Sequence, residues 1–212
     1  MNLEQFRRDY LQGGLRRNDL PDDPLALFAT WQQQAIQSGL VDPTAMVLAT
    51  ADTAGQPSQR IVLLKSVDEQ GYVFYTNYES RKAQEITANA KVALLFPWHV
   101  MERQVRVSGS VVKVGAEESA KYFATRPHES QLAAWASPQS AVLDSRNALI
   151  NRFEEVKKKF GETEVPLPPC WGGYRVIPHE LEFWQGGANR LHDRFHYRRQ
   201  ADGRWLINRL AP

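Results

Sequence analysis

The sequence predicts a mainly β fold with added helices: a closed or split β-barrel decorated by helices, not a doubly wound sheet. Three observations lead there. Short runs rich in β-branched and aromatic residues follow one another from Ala45 to Val114 and resume at Tyr174. Turn-forming clusters such as Asp52-Thr53-Ala54-Gly55 and Asp68-Glu69-Gln70-Gly71 separate them. No G-x-G-x-x-G or Walker-type loop occurs, which counts against a Rossmann or P-loop nucleotide site.

Taken in order, Leu3, Phe6 and Tyr10 stand at helical spacing over residues 3–12, and Gly13-Gly14 ends that segment. Leu15-Arg16-Arg17-Asn18-Asp19-Leu20-Pro21 reads as an exposed connector. A helix is expected from Pro24 to Ser38, with Leu25, Phe28, Trp31, Ala35 and Ile36 as its apolar side. Strands follow at Met46–Ala51, Gln59–Lys65, Tyr72–Asn77, Val92–Trp98 and Gln104–Val114. Three helices are expected at Glu117–Thr125, Glu129–Ala136 and Ser145–Phe160. The last carries Leu149, Ile150, Phe153 and Val156 on one side, with Lys157-Lys158-Lys159 complementing its dipole. A proline-rich loop, Val165-Pro166-Leu167-Pro168-Pro169, leads to strands at Tyr174–Ile177 and Glu180–Trp184 and a final hairpin around Ala201-Asp202-Gly203. Repeats and low-complexity segments are absent.

The length of 212 residues suits one sizeable core. At most it could make two small domains. A net charge of +2 argues against a general nucleic-acid partner, although Arg190, Arg194, Arg198, Arg199, Arg204 and Arg209 crowd the last strands. One cysteine, Cys170, forbids an internal disulfide and a cysteine-rich zinc site and fits a reducing compartment. The polar N-terminus has no signal-peptide pattern, and no run reaches the roughly 20 apolar residues of a membrane helix. A cytoplasmic protein with no metal and no membrane partner is the expectation.

Four constellations carry candidate chemistry. In Phe183–Arg194, extended alternation would project Arg190, His192 and Arg194 from one face, a surface suited to a flat anionic ligand. Gly186-Gly187 before them leaves room for a close backbone approach or a bulge. A solvated basic edge strand is the competing reading. In Arg60-Ile61-Val62-Leu63-Leu64-Lys65, pleat parity sets Arg60 and Lys65 on opposite faces. They can serve one ligand only where a strand end or bulge redirects one of them; otherwise they are the polar ends of a buried strand. In Tyr75-Thr76-Asn77-Tyr78-Glu79-Ser80-Arg81-Lys82, a strand hands over to a helix whose first turn holds cations. This inverts the usual acidic preference and suggests an anion site. Tyr122, Arg126 and Ser130 flank a helix break imposed by Pro127 and could form a phosphate cup or an ordinary surface. Gln104, Gln139-Ser140 and Trp184 are weaker candidates. Together these clusters suggest two phosphorylated ligands, a cofactor and a substrate; residue patterns name neither.

The chain closely resembles the bacterial pyridoxamine 5'-phosphate oxidase (pyridoxine/pyridoxamine 5'-phosphate oxidase) family. The likeness runs from Arg7-Arg8-Asp9-Tyr10 and Gly13-Gly14-Leu15-Arg16-Arg17 to Arg209-Leu210-Ala211-Pro212. Its most specific motifs are Arg60–Lys65, Phe96-Pro97-Trp98-His99, Glu102-Arg103-Gln104, Trp171-Gly172-Gly173 and Phe183–Arg194. The resemblance implies a Greek-key FMN-binding split β-barrel acting as a homodimer, with each flavin in a cleft between subunits. It implies oxidation of pyridoxamine or pyridoxine 5'-phosphate by O2 to pyridoxal 5'-phosphate and hydrogen peroxide, with ammonia from the amine. FMN contacts would fall on Arg60, Ile61, Val62, Leu63, Leu64, Lys65, Tyr75, Thr76, Arg81, Lys82, Gln104, Gln139, Ser140, Trp184 and Arg194. Lys65, Tyr122, Arg126 and Ser130 would hold the substrate phosphate. Arg190, Leu191 and His192 would cover its ring, with Arg190 and His192 the catalytic pair. The resemblance also implies a mobile N-terminal arm over residues 1–20, which would supply Arg7, Arg8, Asp9 and Tyr10, and a single FMN-binding split-barrel domain over 21–212. Asp42 also matches a position near the substrate.

Three other readings have discriminating signs. A split-barrel flavoprotein for another substrate would lack the Tyr122/Arg126/Ser130 cup and the Arg190/His192 pair. A non-catalytic flavin or pyridoxal-phosphate carrier would bind a yellow cofactor without taking up oxygen. A basic nucleic-acid module would bind with steep salt dependence.

Overall fold

The computed structural model describes residues 9–10 and 14–212. The helix expected over 3–12 therefore lies outside the described residues except for Asp9 and Tyr10, and Arg7 and Arg8 lie outside them altogether. The segment assigned to the arm is packed from Leu15 onward: Leu15 and Leu20 are buried, and the Leu15 N–H donates to Asp193 Oδ2 at 3.0 Å.

Helix α1 (Pro24–Gln37) starts where Asp23 accepts the Leu25 N–H and Pro24 takes the first turn, a site where its missing donor costs nothing. It buries Leu27, Phe28, Trp31 and Ala35 against the sheet. Strand β1 (Ala45–Ala51) alternates, with Met46, Leu48 and Thr50 inward, and pairs antiparallel with β2 (Pro57–Leu63). A short strand that the sequence pattern did not announce, β3 (Ser66–Asp68), forms a hairpin with β4 (Gly71–Asn77). Helix α2 (Arg81–Ala88) leads into β5 (Lys91–Trp98) and β6 (Arg103–Lys113). Helices α3 (Ala116–Ala124), α4 (His128–Ala136) and α5 (Arg146–Phe160) come next, then β7 (Trp171–Gln185), β8 (Asp193–Arg199) and β9 (Trp205–Leu210).

The sheet runs β2-β1-β5-β6-β7-β4-β3, with β8 and β9 added through β7. Consecutive strands β2 and β3 lie at opposite ends of that order, so the sheet must curl. The switch is visible at the link, where the Leu64 N–H donates to Thr44 O and the Lys65 N–H to Val73 O. The split arises on β7. One of its edges follows β6 from Tyr174 to Gln185, while the other pairs β4 through Trp171–Val176 and β8 through Glu180–Gln185. The two strands expected over this region are one strand with a bulge. Ser108 faces Glu180 but Gly109 faces Pro178, leaving His179 as the extra residue. Gly109 permits the approach, since a Cβ there would sit 2.3 Å from Ile177 O.

The main core gathers Phe28, Tyr72, Phe96 and Trp98 with Phe183, Phe195 and Tyr197. A second cluster lies under the helices, built on Phe123, Leu132, Val165 and Trp171. Helix α5 forms as expected but only half-buries Phe153, Val156 and Phe160 there, and Ile150 stays exposed. Among the described residues no helix is long and apolar enough to cross a membrane.

Candidate functional site

A cavity of about 770 Å³ opens between the outer face of β2, the end of β4, the start of α2 and the α3–α4 junction. Several predicted residues meet there. Arg60, Ile61, Val62, Leu63 and Lys65 come from β2 and its exit, Tyr75, Thr76 and Lys82 from the strand-to-helix handover, and Tyr122, Arg126, Ser130 and Gln139 from the helical layer. The parity conflict between Arg60 and Lys65 resolves because regular strand ends at Leu63, so Lys65 leaves from the turn into β3. Leu64 faces the other way; it is 6% exposed and packs in the core.

One end of the cavity is the helix break. Pro127 stops α3 and starts α4, and Arg126 sits in the gap with its N–H on Phe123 O. Its guanidinium lies 4.7 Å over Trp171. Tyr75 stacks on Tyr122 at 3.9 Å and on Trp171 at 5.5 Å, so aromatic faces floor this end. Arg126 Nη1 is buried and has no hydrogen-bond partner, the one charged group among the described residues in that condition. A buried guanidinium N–H without an acceptor costs about 1–3 kcal/mol or more, because its hydration is lost and not replaced. An arginine cannot escape by deprotonating. An anion such as phosphate, in reach of Lys65, Tyr122 and Ser130, removes that cost.

The other end gathers cations. Lys82 Nζ donates to Thr76 Oγ1 at 3.1 Å, Gln139 Oε1 at 3.2 Å and Ser80 Oγ at 3.3 Å. Burial, and secondarily the Arg60 charge, pull its pKa down to about 8. The α2 N-terminus has no acidic residue in its first turn, and the Ser80 hydroxyl donates to Asn77 O at 2.7 Å instead of capping it. Arg60 Nη1 donates to Thr50 Oγ1 at 2.5 Å and Nη2 to Ser58 Oγ at 2.6 Å. Arg81 and Ser140 border an adjoining recess shared with Gln139, and Ser140 adopts a left-handed φ of 72°. The arrangement can hold one dianion at each end and a flat ring system between them.

The remaining candidates lie elsewhere on the single chain. Gln104 faces Trp184 across β6–β7, and Trp184 faces Arg194 across β7–β8, so these three form one lateral row. Arg194 Nε donates to the buried Glu182 at 2.9 Å. The expected extended alternation of Arg190, His192 and Arg194 is wrong. Ala188–Arg190 is a 3-10 turn with Asn189 and Arg190 at φ 55° and 61°, and regular strand begins only at Asp193. The cause is Gly186-Gly187, which folds the chain back so closely that a Cβ on Gly187 would lie 2.4 Å from Leu191 O. His192 is nonetheless placed: its ring packs 4.7 Å from Trp184 and 5.2 Å from Tyr10. Gly187 N donates to its Nδ1 at 3.1 Å, so the neutral ring carries its hydrogen on Nε2. Leu191 is 71% exposed, and neither it nor Asp9 or Asp42 lines the main cavity. Sequence reasoning did not put Trp171 or the bracing glutamates Glu85 and Glu182 in the site. The signal for Trp171 was its place before Gly172-Gly173; for the glutamates there was none.

The sequence matches the family described as pyridoxamine 5'-phosphate oxidase over residues 32–160. Residues 171–212 match the pyridoxine 5'-phosphate oxidase C-terminal dimerisation region. The pyridoxine/pyridoxamine 5'-phosphate oxidase of Teredinibacter turnerae is 60% identical over 212 residues, all of both chains. That of Pseudoalteromonas translucida is 58% identical over the same span. Among solved structures, PhzG from Burkholderia lata 383, in complex with tetrahydrophenazine-1-carboxylic acid, superposes with a TM-score of 0.87. It is 33% identical, and the match covers 92% of this chain and 95% of that one. A pyridoxamine 5'-phosphate oxidase-related, FMN binding protein from Nostoc punctiforme shares the fold, with a TM-score of 0.73 at 15% identity over 91% of this chain and 100% of that one.

Proposed function

The chain belongs to the pyridoxamine 5'-phosphate oxidase family, and from that premise we propose that FMN and the substrate occupy the two ends of the cavity described above. The protein is an oxidase of pyridoxine and pyridoxamine 5'-phosphate, built as a homodimeric split barrel. The observation that carries the reading is the buried, unpartnered Nη1 of Arg126 in a cavity whose far end holds Lys82, Thr76 and Gln139.

Arg126, Lys65, Tyr122 and Ser130 take the substrate phosphate. Arg60, Lys82, Thr76 and Gln139 take the cofactor phosphate, with Arg81 and Ser140 at the rim. Gln104, Trp184, Arg190, His192 and Arg194 stand outside this cavity, the last four within the dimerisation region. We therefore assign them to the cleft formed with a second subunit. FMN, when bound, supplies the hydride acceptor for the substrate's C4' carbon and passes the electrons to O2 as hydrogen peroxide. The chain's own residues do the rest. The phosphate contacts fix the substrate along the cavity, a proximity effect. The aromatic floor excludes water, and His192 offers an Nε2–H donor that orients the substrate ring rather than removing a proton. The single cysteine, Cys170, fits action in a reducing compartment such as the cytoplasm.

The test is to add pyridoxamine 5'-phosphate to the FMN-loaded dimer in air. Aldehyde and peroxide should appear in equal amounts, and the cofactor released on denaturation should be FMN. Binding without oxygen uptake would favour a carrier. Turnover only of a reduced phenazine carboxylate, the reading prompted by the PhzG likeness, would sink the phosphate assignment.

Lys82 adds a pH signature. Phosphate binding requires its ammonium form, so affinity for FMN holds below about 8 and falls as pH rises through that value. On the acid side affinity declines below about 6, where the phosphate gains its second proton. Titrating apoprotein with FMN should give its tightest binding between these limits. A flat profile up to about pH 9.5 would remove Lys82 from the phosphate site.

A further inference from the structure

We propose that Glu85 is a positioning residue for the cofactor phosphate, a buried carboxylate that orients Arg60 and Arg81 toward it; this rests on assigning that end of the cavity to FMN. The Glu85 side chain is 6% exposed and faces inward from α2. Its Oε1 accepts from Arg81 Nε at 2.8 Å, and its Oε2 accepts from Ser58 Oγ at 2.6 Å, from the Thr50 hydroxyl, and from Arg60 Nη2 at 3.4 Å. Thr50 and Ser58 each have a single hydroxyl hydrogen. Both give it to Glu85 and turn their lone pairs to Arg60, which donates to both. The carboxylate thus sets the direction of two hydroxyls, and the hydroxyls set the plane of the Arg60 guanidinium.

Electrostatics point the same way. Three cations, Arg60, Arg81 and Lys82, converge here, and among the described residues Glu85 is the only carboxylate bonded to any of them. Burial raises the pKa of Glu85, but donors from Ser58, Thr50 and Arg81 outweigh it and hold the group at about 2. It therefore stays ionised, and the cluster keeps an excess of positive charge suited to a phosphate dianion. An ordinary i,i+4 helix pair with Arg81 would be solvated and would not reach β1 and β2.

Glutamine is the informative replacement. Its amide can accept on one side only, so either Arg81 or the hydroxyl pair would face an NH2 group and turn away. The experiment compares FMN with riboflavin, which lacks the phosphate, by fluorescence quenching on apoprotein. Glu85→Gln should weaken FMN by about 10- to 100-fold, the loss of one or two charge-assisted contacts. Riboflavin affinity should stay within about twofold. Equal loss for both ligands would mean a merely structural role, and unchanged or tighter FMN binding would mean the carboxylate only opposes the phosphate; either overturns the proposal. Ser58→Ala, on an outer strand, is the milder companion should Glu85→Gln fold poorly. It should weaken FMN several-fold and leave riboflavin alone, and no change there also overturns the proposal. If the unmodified protein binds FMN no tighter than riboflavin, the cofactor assignment itself fails first.

Discussion

Arg126→Ala should lower kcat/KM for pyridoxamine 5'-phosphate by about two to three orders of magnitude while leaving FMN content intact. Charge-assisted contacts are worth about 1.5–3 kcal/mol each, and a dianion that loses a buried guanidinium also keeps an uncompensated desolvation cost. Arg126 is the strongest member of the cup because its Nη1 is already dehydrated and unpartnered, so no protein acceptor competes with the substrate. Lys65 is exposed and Ser130 neutral, so their losses should be smaller. The control is the substrate without its phosphate. Pyridoxamine should be poorer by about three to four orders of magnitude, and Arg126→Ala should scarcely change it further. Steady-state kinetics of the two proteins with the two substrates measures the coupling directly. If the mutation costs both substrates alike, Arg126 supports the fold through Trp171 and does not read the phosphate.

The strands and helices were legible because alternation and turn chemistry are local. Met46, Leu48 and Thr50 point inward as their spacing requires, and Pro127 breaks the helical layer where it must. The cup at Tyr122, Arg126 and Ser130 could be read for the same reason, since one helix break positions all three. Three features could not be read. Strand β3 has only three residues, too few for alternation to show, although its partner β4 lies just across the Glu69-Gln70 turn. The Arg190 turn follows from a contact between Gly187 and the Leu191 carbonyl, which no periodicity encodes. The glutamates that brace the arginines escaped because an acidic residue in a helix or strand looks solvated until its partners are known. Glu85 meets β1 and β2, and Glu182 joins Arg106 to Arg194 across neighbouring strands.

That last pairing separates the roles of three neighbours. Arg190→Ala should cost about 10- to 150-fold in kcat/KM, one charge-assisted contact, without loss of FMN. Arg190 has no part in the sheet, and its left-handed φ of 61° is a conformation that alanine also tolerates poorly, so the fold neither gains nor loses much. His192→Ala should also reduce turnover. His192→Gln should recover part of it, because its amide nitrogen reaches the place of the ring Nε2, the donor left when Nδ1 is engaged by Gly187. A true proton acceptor would not be rescued, and its loss would be steeper for pyridoxine 5'-phosphate, whose hydroxyl must give up a proton as the hydride leaves. Arg194→Ala should behave differently. Arg194 is anchored by Glu182 and by the Ala211 carbonyl at 2.8 Å, in register with Trp184 and Gln104. Removing it leaves Glu182 paired only with the more exposed Arg106, so flavin retention and thermal stability should fall together. Flavin occupancy, melting temperature and steady-state kinetics measured on the three variants decide the matter. If Arg190→Ala and His192→Ala shed flavin yet turn over normally once it is restored, these residues hold the cofactor and the division between turn and strand is wrong.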